Sequence, residues 1–174
     1  PGPGIRGVAE NMYFITADIG IVSYKIGDKM NLLKTTTGGE NWRQYIYEDR
    51  IGAVKRIKAD GAGNLYALLS NEDNNATLLK SYDQGLNWKT LETTQNIDFF
   101  PFSFSFELSG SKLYVSGFGA SVIELDTAGH FLREINTNYS TLRELAVVDE
   151  NSFLATSNGV SLSNDGGESW QEIN

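Results

Sequence analysis

The side chains able to do chemistry in this chain are carboxylates: 22 Asp and Glu, against one histidine and no cysteine. Two carboxylates about 5 to 10 Å apart across a cleft hydrolyse glycosidic bonds, one as acid and the other as base or nucleophile. No Asp or Glu pair is set apart by its spacing, so that chemistry has no named residues here. His130 stands in a turn with neither a cysteine nor an acidic cluster beside it, and reads as an exposed turn residue rather than a base or metal ligand. The absence of cysteine excludes disulfides, thiolate metal centres and thiol nucleophiles. Gly117-Phe118-Gly119-Ala120 follows a strand-like run but opens no helix, so it is not a dinucleotide loop, and no serine-nucleophile or phosphate-loop pattern occurs. The chain reads as non-catalytic, with no cofactor and no metal.

What recurs instead is a turn. Leu32 to Trp42, Leu78 to Trp88 and Val160 to Trp170 share one pattern, and all three tryptophans occupy its last slot. Two copies are complete: Ser81, Asp83, Gly85 and Trp88, then Ser163, Asp165, Gly167 and Trp170. The first keeps Gly39 and Trp42 but has Thr37 at the aspartate slot. Gly85 to Gly167 is nearly twice the interval from Gly39 to Gly85, which predicts a degenerate copy between them at Gly129, with Leu132 in the tryptophan slot. Each residue type has a physical reason. A Ser or Asp oxygen accepts N–H groups that a tight turn leaves unpaired, glycine takes positive φ without a steric cost, and the indole packs its apolar face under the turn.

Internal repeats decide the fold class. A second marker precedes each turn: Asn11-Met12-Tyr13-Phe14, Asn64-Leu65-Tyr66-Ala67, Lys112-Leu113-Tyr114-Val115 and Ser152-Phe153-Leu154-Ala155, each read as the second strand of a unit. In the second unit four strands are expected, Val54 to Ala59, Asn64 to Leu69, Thr77 to Tyr82 and Trp88 to Glu92. Short strands recurring every 40 to 45 residues or so are the pattern of a β-propeller built of four-stranded antiparallel blades. The expected organisation is one domain over 1–174, with blades at 5–48, 51–93, 100–136 and 140–174, residues 1–4 a linker, and the four blades either a complete small propeller or part of a larger one. Ser140 to Ala146 has helix-forming composition, but its place in the repeat is that of a first strand.

On these residues the turns resemble the Asp-box, or BNR repeat, of sialidases, sortilin-like receptors, xyloglucan-degrading glycosidases and Ycf48-like photosystem assembly factors. The resemblance implies that the boxes lie at the blade periphery between third and fourth strands and are structural, so Asp83 and Asp165 are not expected to be catalytic. Sialidase chemistry would need an arginine cluster on the substrate carboxylate and the family's Phe/Tyr-Arg-Ile-Pro motif. None of the six arginines precedes Ile-Pro. The resemblance further implies work outside the cytoplasm, secreted, periplasmic or at the cell surface.

Ligand contacts then belong to the loops between blades and between second and third strands. The candidates are Tyr47, Asp49 and Arg50 in the first junction, Asp98, Phe99 and Phe100 in the second, and Asn138 and Tyr139 in the third; Phe99 and Phe100 form either a plug over the blade junction or an exposed patch. Aromatic, amide and carboxylate groups together suit a protein partner or a glycan. The formal net charge of −8 argues against nucleic acid, and the cluster Lys55, Arg56 and Lys58 reads as a solvated strand face. No apolar run reaches the roughly 20 residues that span a bilayer, so no membrane insertion is expected. The expected function is an interaction or assembly module, the alternative a carbohydrate-active domain, with self-association if the blades leave an open edge.

Overall fold

The computed structural model describes residues 7–70, 76–93, 106–116 and 121–173, and these form sixteen strands and no helix. They make four separate four-stranded antiparallel meanders. Sheet 1 holds β1 (Val8–Phe14), β2 (Gly20–Lys25), β3 (Lys29–Thr35) and β4 (Arg43–Ile51). Sheet 2 holds β5 (Ala53–Ala59), β6 (Leu65–Ser70), β7 (Ala76–Ser81) and β8 (Lys89–Thr90). Sheet 3 holds β9 (Phe106–Ser109), β10 (Lys112–Ser116), β11 (Ser121–Asp126) and β12 (Phe131–Asn136), and sheet 4 holds β13 (Glu144–Val147), β14 (Phe153–Thr156), β15 (Val160–Ser163) and β16 (Gln171–Ile173). The chain divides into two compact units, Pro1–Thr90 with sheets 1 and 2, and Leu91–Asn174 with sheets 3 and 4.

Within each unit the sheets pack face to face through alternating apolar residues. In the first unit Ile21, Met30 and Leu32 of sheet 1 meet Val54, Ile57, Leu65, Ala67 and Leu79 of sheet 2 and Trp88 just before its last strand, all buried. In the second, Tyr114, Val122 and Ile135 of sheet 3 meet Leu145, Phe153 and Ala155 of sheet 4 and Leu142 just before its first strand. The rings of Tyr114 and Phe153 meet edge to face at 5.3 Å, and Trp170 stacks on Phe153 at 6.4 Å. Each fully buried large apolar side chain contributes about 1.5 to 3 kcal/mol.

Three sequence expectations are corrected. Asn11-Met12-Tyr13-Phe14 lies on the first strand of its sheet, β1, whereas the other three markers lie on second strands. Apolar alternation does not carry a strand's place in a meander; the hairpin does, and here the Phe14 ring closes over Gly20, where a Cβ would stand 2.8 Å from it. The last strand of sheet 2 begins at Lys89 and spans two residues, because Trp88 turns inward to the core instead of joining the ladder.

The third correction concerns Gly129, which belongs to no degenerate box. Asp126 Oδ1 accepts the N–H groups of Ala128 and His130, its Oδ2 lies 2.7 Å from His130 Nδ1, and Gly129 takes φ 96°. Asp60-Gly61-Ala62-Gly63-Asn64 closes β5 to β6 in the same way, with Ala62 and Asn64 donating to Asp60 and Gly63 at φ 83°. Both are short hairpins in which a tight turn is followed by a left-handed glycine. Leu132, free of any box role, is 45% exposed. Ser140 to Ala146 forms no helix: the Arg143 N–H donates to Thr156 O, and β13 continues that pairing along β14.

Candidate functional site

The box turns are held by networks of side-chain hydrogen bonds. In the second box Ser81 Oγ accepts the Gly85 N–H at 2.8 Å and donates to Asp83 Oδ1 at 2.8 Å; Asp83 in turn accepts the N–H groups of Leu86 and Asn87 and the Asn87 amide, and the Trp88 indole donates to Gly85 O. The box at Ser163 repeats this through Asp165, Gly167 and Ser169. The first box does it without charge: Thr35 Oγ1 accepts the Gly39 N–H at 3.0 Å, Thr37 Oγ1 accepts the Asn41 N–H at 3.0 Å, and the Trp42 indole donates to Gly39 O. The donors facing the carboxylates set their acidity. At Asp165 the bonds from Ser169 and Ser163 bring the carboxyl down to about 2. At Asp83 partial burial opposes ionisation, but the bonds from Asn87, Ser81 and Leu86 outweigh it, and it titrates below the usual carboxylate range.

Each complete box is also clamped to the sheet before it. The place a Cβ would take at Gly85 is filled by Ile21 Cδ1, 2.6 Å away, and that at Gly167 by Ile135. Tyr47 Oη donates to Gly85 O at 2.6 Å and reaches Leu86 O at 3.3 Å; its burial pushes the phenol up to about 12. Arg50 donates to Trp88 O and Thr90 Oγ1, and Lys34 Nζ donates to Gln84 O. In the second unit the Trp170 indole donates to Asn136 O, Asn138 Nδ2 donates to Trp170 O, and the hydroxyls of Ser161 and Tyr139 bond at 3.0 Å. Tyr47 and Arg50 are thus brought together on one box, and Asn138 and Tyr139 on the next sheet. Asp49 lies in β4 with its side chain outside the described residues, as are Asp98, Phe99 and Phe100 altogether.

Beside the first box lies an open cleft of about 380 Å³. Thr36, Asn41 and Trp42 of the box, Leu86 of the second box, Lys34 of β3 and Arg43 and Tyr45 of β4 line it. The Arg43 guanidinium lies over the Tyr45 ring at 5.4 Å, and Phe14 meets Trp42 edge-on at 6.3 Å. Lys34 Nζ, its pKa lowered by burial, is already committed to Gln84 O, so Arg43 is the exposed cation of this cleft. None of these lining residues except Trp42 was singled out above. The alternation in Arg43-Gln44-Tyr45-Ile46-Tyr47 holds the signal, since it puts a cation and two phenols on one face directly after a box tryptophan. Among the described residues no group of three or more His, Asp or Glu side chains is placed to hold a metal ion. Glu124, buried in sheet 3, is held between Lys112 Nζ at 2.9 Å and Arg133 Nε at 2.7 Å.

No family model and no curated protein matches the chain. Solved structures do. YCF48 bound to D1 peptide is 15% identical with a TM-score of 0.68, covering 98% of this chain and 55% of its own. The WD40 β-propeller domain of Doa1 is 12% identical, TM-score 0.61, covering 99% and 55%. The fold is a β-propeller. The GH74 enzyme of Niastella koreensis is also similar, at 17% identity and TM-score 0.57, covering 94% of this chain and 38% of its own. The propeller described here therefore spans about half the length, or less, of these three chains, and its four sheets are blades 1 to 4.

Proposed function

We propose that this propeller is a non-catalytic interaction module that receives a peptide segment of a protein partner in the cleft beside the first box. The observation that carries this reading is the cleft's composition. On a chain of net charge −8, it presents an exposed guanidinium stacked on a phenol, flanked by an indole, an amide and an apolar side chain, and among the described residues no carboxylate lines it. Arginine and aromatic side chains concentrate binding energy at protein interfaces, and an exposed guanidinium selects a carboxylate. The similarity of fold to a YCF48 structure that holds a D1 peptide supports the same class of partner. In this reading the three tryptophan-bearing turns are Asp-boxes whose task is to keep the cleft rigid, and the protein works outside the cytoplasm. A glycan is the second reading, because Trp42, Tyr45 and Asn41 offer the ring faces and amide that sugars use, and a GH74 enzyme shares the fold.

One titration separates the two. The Trp42 indole N–H is followed by NMR while a short peptide of alternating Asp and Phe, and separately a cello-oligosaccharide, is added. The expected outcome is a shift with the peptide that Arg43→Ala weakens about tenfold, the loss of one charge-assisted bond. A shift with the sugar alone, indifferent to Arg43, overturns the peptide reading in favour of the glycan.

A further inference from the structure

Two cations line the cleft beside the first box, and neither has an ion-pair partner among the described residues. Lys34 is 8% exposed, and its Nζ donates to the neutral carbonyl of Gln84. Removing an ammonium from water without a counter-charge is costly, so deeply buried lysines are almost always paired. Burial draws the Lys34 pKa below the usual lysine value; Asp83 opposes that shift from a distance, but its oxygens are taken by Ser81, Leu86 and Asn87. Arg43 is exposed, with the Tyr45 ring as its partner among the described residues.

Elsewhere the chain resolves the same situation. Glu124 is held between Lys112 and Arg133, and Lys55 pairs with Glu10. Carboxylates are in excess, 22 against 14 basic side chains, yet among the described residues none lines this cleft. Two further groups stand beside the cations with their hydrogen-bonding capacity unspent: the Thr36 hydroxyl and the Asn41 side-chain amide make no hydrogen bond among the described residues. The cleft thus gathers donors of both charged and neutral kinds without an acceptor side chain of opposite charge.

We infer that the residue anchored here carries a phosphoryl group, so that the cleft receives a phosphoserine-bearing segment, its dianion between Arg43 and Lys34 and its oxygens accepting from Thr36 and Asn41. The inference rests on the peptide reading and narrows it. A carboxylate brings a single charge, which one guanidinium satisfies through a bidentate pair. A phosphoryl monoester brings a charge of about −1.5 to −2 at pH 7 and three strong acceptor oxygens. That second set matches two cations with neutral donors beside them, and it supplies the counter-charge that the buried ammonium of Lys34 lacks. Trp42 and Leu86 then offer apolar contact to the residues flanking the phosphoserine.

The test is calorimetric titration of the whole chain with peptides of one sequence, in which two phenylalanines flank a central phosphoserine, glutamate or serine, and with inorganic phosphate as a further ligand. The phosphoserine peptide should bind about tenfold more tightly than the glutamate peptide, and the serine peptide most weakly. Lys34→Met, which keeps the length of the side chain and removes its charge, should reduce that ratio to about twofold. A general loosening of the fold would weaken both peptides alike and leave the ratio where it was. The comparison of peptides is made on the unaltered chain, so it decides the matter even where Lys34→Met does not fold. Equal binding of the phosphoserine and glutamate peptides overturns the inference and leaves the peptide reading standing, as does a preference that survives Lys34→Met. Inorganic phosphate binding as tightly as the phosphopeptide overturns it in favour of a free anion. No binding of any peptide overturns the peptide reading and the inference with it.

Discussion

The first and second boxes make the same turn from different materials. Thr35 and Thr37 place two hydroxyls where Ser81 and Asp83 place a hydroxyl and a carboxylate, and the backbone N–H groups of the glycine and the asparagine are accepted at matching positions. A side-chain oxygen of either kind satisfies the turn, so charge is not what shapes it. The boxes differ in what lies behind them. Gly85 is sealed by Ile21, Tyr47 and Lys34 of blade 1, while among the described residues only the Trp42 indole comes within 4 Å of where a Cβ on Gly39 would stand. One turn motif is therefore clamped by a neighbouring sheet in one place and lined by its own indole in another.

The comparison breaks most sharply at the glycines. Gly85→Ala must accommodate both a positive φ and the Ile21 methyl group, and should cost about 3 to 4 kcal/mol in urea denaturation; Gly39→Ala meets only the backbone penalty and should cost about 1 to 2 kcal/mol. Equal losses would show that the seal behind Gly85 contributes nothing. Tyr47→Phe removes the donor to Gly85 O and should cost about 1 kcal/mol in the same assay.

Tyr47 also sets an alkaline limit. Its phenol is held neutral in the folded state, up to about 12, so its contribution is complete below the ordinary tyrosine value near 10 and disappears as pH rises from there towards 12. The boxes differ at the acid end. Asp83 and Asp165 have depressed folded values, so what they contribute is present above about pH 4 and fades as pH falls, towards about 2 for Asp165. Asp83→Asn should flatten part of that acid limb in a thermal melt, whereas Thr37→Val should leave its slope unchanged while lowering the melting temperature by a few degrees. The smallest effect is expected at Tyr114, whose buried hydroxyl has no partner among the described residues. Tyr114→Phe should be neutral or should stabilise by up to about 1 kcal/mol.

The sequence made the blades legible because each turn repeats a chemical solution. Ser-x-Asp-x-Gly-x-x-Trp has few uses outside a stapled hairpin, and its spacing led to four meanders. It did not disclose that Asn11 to Phe14 is a first strand, since alternation is the same on any strand and only pairing distinguishes them. Nor could it foresee that Tyr47, Arg50 and Asn138 direct their polar groups to a neighbouring blade, because those bonds end on backbone carbonyls, which have no sequence signature. The cleft was hidden for a similar reason. Leu86 and Arg43 lie on different blades, and the space they share exists only once the second box is clamped in place.

The direction of that clamp bears on how the protein is made. In each unit the box reaches back to residues earlier in the chain, Gly85 to Ile21 and Tyr47, Gly167 to Ile135, and the Trp170 indole to Asn136. During synthesis the receiving surface has therefore left the ribosome before the turn that needs it, and each new meander meets a template already waiting. Growth from the other end would present every knob before its hole, so the ordering of contacts along the chain suits assembly in the direction of translation.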